Sequence, residues 1–162
     1  MTTRFAFLFL VLMLVTAGAM AREEWRVQRG PQYGFSFSYP QSVFTPVQSD
    51  GPSLHRFVSS AGNAKLVVAA WETNGRTPEE FKRWMLADSA GYDITYEPRG
   101  RSWFVVSGYR GDRIYYEKVA FSCGGRVANV LAVTYPVGKR DLFDPLVERM
   151  EDDFKPGPSC PS

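Results

Sequence analysis

His55 is the only imidazole the chain has to offer as a general base, and it stands in Leu54-His-Arg56 within a segment that reads as a β-strand. Nucleophilic catalysis needs such a base beside a serine held on a sharp turn, and the sequence contains no Gly-x-Ser-x-Gly elbow. Adjacent acids occur at Glu23-Glu24, Glu79-Glu80 and Asp152-Asp153. Sequence neighbours in a helix or strand do not face a common substrate, so these pairs suit helix caps and solvated faces rather than glycosidase chemistry. A hydrolase assembled from dispersed carboxylates is a lesser alternative. Gly124-Gly125 lacks the spacing of a phosphate-binding loop. Cys123 and Cys160 form neither a Cys-x-x-Cys redox pair nor part of a four-ligand zinc set. No catalytic residue, cofactor or metal is therefore assigned.

The cysteines make sense together with the N-terminus. Met1-Thr-Thr-Arg4 is followed by an unbroken apolar run, Phe5 to Val15, and then by the small-x-small triplet Ala19-Met20-Ala21. This is the form of a signal peptide over residues 1–21, and its apolar run is too short for a membrane span, which needs about 20 residues. No cysteine stands at the expected cleavage point, so lipid attachment is not expected. The mature chain, 22–162, is expected to be periplasmic or secreted, with no membrane insertion after cleavage. Export exposes thiols to oxidation, and a Cys123–Cys160 disulfide would be structural. Closing a loop of about 37 residues contributes at most about 4 kcal/mol and pins the Pro-rich tail, residues 155–162.

The 162 residues are 44% hydrophobic and 22% charged with net charge +2, which fits one globular domain and excludes a collagen, a disordered tail or a multi-span membrane protein. So small a charge gives no electrostatic reason to expect nucleic acid as a partner. The arginines gather at Arg99-Gly-Arg101 and at Arg110 to Arg113, opposite ends of one predicted strand, so they form no single basic face.

Residues Gly34 to Tyr39 alternate strictly and read as a half-buried strand ended by Pro40. Leu54 to Ser59 and Lys65 to Trp71 follow as strands. In the second of these, Leu66 to Ala70 is apolar throughout, as in a strand covered on both faces. Thr77-Pro-Glu-Glu80 has the form of a helix capping box with proline in the first turn. Phe81, Trp84 and Met85 then share one face of a helix that Gly91 closes. From Tyr92 the pattern returns to period two. Tyr92 to Glu97, Ser102 to Tyr109, Arg113 to Ser122 and Val127 to Tyr135 form a meander joined by short Gly-containing links. Val127 to Thr134 is apolar on both parities and reads as central. A last helix carries Leu142, Leu146 and Met150 at i, i+4, i+8, with Phe143, Val147 and Phe154 beside them and Asp141 or Asp144 as its cap. The expected class is α+β: a single domain with one antiparallel sheet of about six or seven strands flanked by helices.

Aromatic residues make up 15% of the chain. Most lie on alternating strand faces or helix stripes, where core packing is the default reading. Trp103, Tyr109, Tyr116 and Tyr135 share sheet parity with many neighbours, and strand order decides which face they share. Exposed tyrosine and tryptophan suit a protein-binding surface, because they contribute large contact area at little entropic cost. Tyr33-Gly-Phe-Ser-Phe-Ser-Tyr-Pro40, Trp103-Phe-Val-Val-Ser-Gly108, Tyr115-Tyr-Glu-Lys118, Tyr135-Pro136 and Met150 to Phe154 occur in an order that resembles bacterial exported domains with the fold of the PsbP-type extrinsic subunits of photosystem II. The architecture of the Ran-binding nuclear import factors is similar. The resemblance implies a PsbP-like sandwich and a non-enzymatic role in binding or organising proteins. The expected function is an exported, non-catalytic protein-binding or assembly module of the cell envelope, whose partner is another envelope or secreted protein. A small apolar-ligand or lipid-binding protein is the alternative.

Overall fold

The computed structural model describes residues 23–87 and 90–162, so the segment 1–21 lies outside the described residues. The strands are β1 (Trp25–Arg29), β2 (Ser36–Pro40), β3 (Phe44–Val47), β4 (Leu54–Ser59) and β5 (Lys65–Glu72), then, after the first helix, β6 (Asp93–Tyr96), β7 (Trp103–Arg110), β8 (Arg113–Ser122) and β9 (Val127–Pro136). The helices are α1 (Pro78–Met85) and α2 (Arg140–Asp153).

Strands β5 and β9, the two that are apolar on both parities, lie side by side in a seven-stranded sheet of order β3-β4-β5-β9-β8-β7-β6. Every pairing is antiparallel, and Leu66 stands opposite Val133 at the centre. Side chains alternate between the faces. Leu66, Val68, Leu131 and Val133 project into a core shared with Phe143, Val147 and Met150 of α2 and with Phe35, Phe37 and Tyr39. Val119, Phe121, Ala128 and Val130 project the other way, onto Phe81 of α1. The sheet is thus covered on both faces, as its central strands require.

Beside the expected antiparallel sheet, which has seven strands, stands a second sheet of two. Ser36–Pro40 does not join the main sheet but pairs with Trp25–Arg29, Val27 opposite Ser38, as a separate two-stranded ribbon. This ribbon lies over the sheet, with Tyr39 against Phe57 at 4.5 Å between ring centroids. β1 gave little pattern to read because it is a polar cover strand whose Val27 is 69% exposed. β3 contains Pro46, which is tolerated because β3 is an edge strand and needs no donor on its outer side.

The capping box of α1 is present: Glu80 N–H donates to Thr77 Oγ1 at 3.3 Å, and Thr77 N–H donates to the Glu80 carboxylate at 2.9 Å. The helix stops at Met85 rather than reaching Gly91, and Trp84 is 53% exposed. In α2 neither Asp141 nor Asp144 is the cap: the helix begins at Arg140, follows a 3₁₀ turn over Val137–Lys139, and carries Pro145 internally. Its buried stripe is Phe143, Leu146, Val147 and Met150, and Leu142 is 51% exposed. The i, i+3, i+4, i+7 spacing of that stripe turns Leu142 outward.

The C-terminal tail is anchored at three levels. The Cys123–Cys160 disulfide joins it to the β8–β9 turn. Gly157 lies so close to Tyr33 that a Cβ there would stand 2.0 Å from the Tyr33 carbonyl oxygen. Asn129, fully buried in β9, accepts from Gly157 N–H at 3.0 Å and donates at 3.0 Å to both Ala120 O and Ser122 Oγ. Truncating this amide removes three hydrogen bonds, two of them buried, each worth about 1 kcal/mol. Asn129→Ala is expected to lower unfolding stability by about 3 kcal/mol in a urea titration, with the disulfide still formed.

Candidate binding groove between α2 and the outer strands

The cover on the α2 face ends before the sheet does. Beyond it, β6, β7 and β8 present their side chains beside the flank of α2, leaving an open groove of about 330 Å³. Its floor is Tyr109, Ile114, Tyr116 and Tyr135, with Tyr96 at the outer edge, and its helical wall is Asp144, Glu148 and Glu151. Strand order therefore decides what parity alone left open. Trp103, Tyr109, Tyr116 and Tyr135 all project from this face, since Ser107 pairs with Tyr116 and Tyr135 with Ile114. Three of them line the groove. Trp103 stands at the far end of β7, its indole against Gly100.

Each floor tyrosine at the helix wall ends in a carboxylate. Tyr135 O–H donates to Asp144 at 2.7 Å, and Arg140 Nε reaches the same carboxylate at 3.1 Å. Tyr116 O–H donates to Glu151, which also accepts from Lys118 Nζ at 3.0 Å. Burial pushes both phenols well above their ordinary value, and the adjacent carboxylates add to the rise. These pairs close the end of the core: the rings continue the apolar layer while the hydroxyls satisfy the helix acids. Asp144 and Glu151 are occupied as acceptors, each held by a phenol and a cation, an arrangement that positions side chains rather than delivering protons. Glu148, exposed between them, has no ion-pair or hydrogen-bond partner among the described residues.

The sequence names three of the floor tyrosines, Tyr109, Tyr116 and Tyr135, without locating a site, and leaves the wall unread. Asp144, Glu148 and Glu151 each follow a buried residue, Phe143, Val147 and Met150, so they lie along one flank of α2 at i, i+4, i+7. That spacing was legible once the buried stripe was placed correctly.

The remaining candidates lie elsewhere. His55 is packed beneath the ribbon, its ring 5.6 Å from Phe35 and 5.8 Å from Phe37, with Nδ1 3.0 Å from Gln28 Nε2. Its Nε2 is buried without a partner, and burial holds the imidazole below its ordinary pKa. Glu79 pairs with Arg99 at 3.3 Å, Glu80 caps α1, and Asp153 accepts from Ser38 Oγ. Arg110 and Arg113 lie at the opposite end of β7 from Arg99. Among the described residues, no group of His, Cys, Asp and Glu is placed to hold a metal ion, and no helix is long and apolar enough to cross a membrane.

Two solved structures are similar to this chain in overall fold. The solution structure of CyanoP, the cyanobacterial PsbP of Synechocystis, superposes with a TM-score of 0.60 at 14% identity, covering 88% of this chain and 98% of that one. The fold is PsbP-like. The Ran-binding protein Mog1p of Saccharomyces cerevisiae shares the PsbP-like fold with this chain at a TM-score of 0.59 and 11% identity, covering 83% of this chain and 96% of its own. No protein-family model and no curated protein matches the chain.

Two titrations follow from these environments. A phenol whose folded pKa is raised favours folding below its unfolded value and loses that contribution as pH climbs past it. Alkaline titration followed by phenolate absorbance is expected to ionise Tyr116 and Tyr135 only well above pH 10, with unfolding temperature falling across the same range. Tyr115, buried on the α1 face and pushed up to about 12, should also titrate late. Tyr116→Phe should remove one late-titrating group and leave the others unchanged. For His55 the sign is reversed: the folded state favours neutral imidazole, so stability is full above the ordinary value near 6.5 and declines as pH falls below it. His55→Gln should flatten that part of the stability–pH curve in thermal melts; an unchanged slope would place the titration elsewhere.

Proposed function

We propose that this protein is an exported, non-catalytic binding module that recognises another protein of the cell envelope through the groove beside α2. The observation that carries the reading is the groove itself: a row of tyrosines, Tyr116 and Tyr135 fixed at their hydroxyls, open to solvent at Tyr96 and rimmed by Glu148. Tyr96 is 56% exposed at an edge strand, where a partner gains aromatic contact area without first displacing core. The fold adds support. It is shared with a protein that binds Ran and with a PsbP, although at so low an identity the likeness carries architecture rather than partner. Export rests on the apolar N-terminus and agrees with the disulfide. An apolar-ligand reading finds less support, because the space between α2 and the sheet is filled by Phe143, Val147 and Met150 against Leu131 and Val133.

Site-specific photocrosslinking tests the assignment. A photoreactive phenylalanine analogue in place of Tyr96 is expected to yield one discrete adduct in a native envelope preparation. The same analogue at Val27, equally solvent-facing but on the ribbon, should not. Glu148→Lys should reduce the Tyr96 adduct at least fivefold while leaving the thermal melt unchanged. Equal labelling from both positions, or insensitivity to Glu148→Lys, contradicts the groove as the docking site.

A further inference from the structure

The α1 face holds a second concavity, and its chemistry is the reverse of the groove's. β7 and β8 are joined by Arg110-Gly-Asp-Arg113, and Arg110 stands directly opposite Arg113 in the antiparallel register. One step along, Lys65 of β5 is opposite Thr134 of β9, which is opposite Tyr115 of β8. By parity all of these side chains leave the sheet on the α1 side. α1 covers only the other end of that face, where Phe81 meets Phe121 at 5.7 Å between ring centroids. Gly108 is the hinge of the arrangement: a Cβ there would lie 1.9 Å from the Asp93 carbonyl oxygen, so only glycine lets the chain entering β6 cross so closely. That crossing seats the Tyr92 ring on Tyr115 at 4.1 Å, with the Arg110 guanidinium 5.3 Å from the Tyr92 centroid.

The result is a concavity of about 470 Å³ lined by Lys65, Arg110, Arg113, Thr134 and the two tyrosines. Its lining holds three cations and three hydroxyls, with no carboxylate. None of the three cations forms an ion pair among the described residues. Arg113 donates to the carbonyls of Asn63 at 2.8 Å and Thr134 at 3.4 Å, contacts that orient the guanidinium without neutralising it. The nearby acids leave the charge standing. Asp112 in the turn, Asp93 at the crossing and Glu117 further along β8 pair with none of the three, and Glu117 is itself desolvated. Like charges facing each other across an antiparallel pair oppose folding. A fold that sets two arginines opposite one another and adds a lysine, none of them ion-paired among the described residues, has a preformed place for an external anion.

We propose that this concavity binds a phosphoryl oxyanion, carried either by a small phosphate compound or by a phospholipid headgroup. Guanidinium forks match the oxygens of such a group, while the lysine and the Thr134 hydroxyl supply further donors around it. The site lies on the opposite face of the sheet from the tyrosine groove and stands independently of the function proposed for it.

The test uses inorganic phosphate as the first probe, with thermal unfolding and backbone amide shifts as readouts. Ligand that binds only the folded state raises the unfolding temperature with concentration. Phosphate in the millimolar range is expected to do so and to shift the amides of Lys65, Arg113 and Thr134. Lys65→Gln breaks no hydrogen bond or ion pair, and Arg110→Gln gives up its stacking on Tyr92 while relieving the repulsion from Arg113. Both should therefore stay folded with melts close to the parent's and bind phosphate at least tenfold more weakly. Arg149→Gln, on α2, should bind normally. Vesicles of phosphatidylglycerol and of phosphatidylcholine separate the sources. Co-sedimentation with the first alone, lost in Lys65→Gln, assigns a headgroup; phosphate binding without vesicle binding assigns a small compound. Binding that is equal in parent and variants, or absent with both probes, overturns the proposal.

Discussion

Two adjacent strands, β5 and β9, carry apolar side chains on both faces, and nearly everything else in the molecule is cover for them. A strand with one wet face can sit at the surface of a sheet, but Leu66, Val68 and Leu131 on one side and Val130 and Ala128 on the other cannot all be buried by a single layer. The chain meets this with unequal covers. On one face lie the β1–β2 ribbon and the fourteen-residue α2; on the other lies only the eight-residue α1. Asn129 then locks the tail to the same central strand, converting a buried polar side chain into a fixed point for the C-terminus.

Unequal cover also explains where the open surfaces fall. Seven strands at about 4.8 Å spacing span about 30 Å, whereas a helix and a two-stranded ribbon together cover about 20 Å. The uncovered third on the α2 face is the tyrosine groove, where phenols bridge from apolar core to acidic helix flank. On the other face α1 is about 12 Å long, too short to reach the Lys65 end. That end carries cations in place of apolar residues, as a surface that no helix will cover must. The two concavities thus arise from one geometric deficit and differ in charge because different elements rim them.

Much of this architecture is legible in the chain itself. The capping box at Thr77–Glu80, the double-sided apolar runs and the short meander links each report a local physical necessity, and each appears where it was read. The opening ribbon is not legible in the same way. Phe35, Phe37 and Tyr39 have the alternation of any sheet strand, and only tertiary packing assigns them to a separate sheet rather than the main one. Leu142 illustrates a second limit. Counted as part of the buried stripe, it rotates the reading of α2 by about one residue and hides the acids that wall the groove. Trp103, Tyr109, Tyr116 and Tyr135 were visible individually, but their common face depended on the exact register of the β7–β8–β9 meander, which the short links alone do not fix.

The central claim is that the groove beside α2 is the docking surface, and amide hydrogen exchange on the complex measures this most directly. With the crosslinked partner in hand, exchange is compared between free and bound protein across all strands. The account predicts slowed exchange in residues 93–110 and 140–151, with the β1–β2 ribbon and α1 unchanged. Protection confined to the ribbon or to α1, with the groove exchanging as in the free protein, would contradict it.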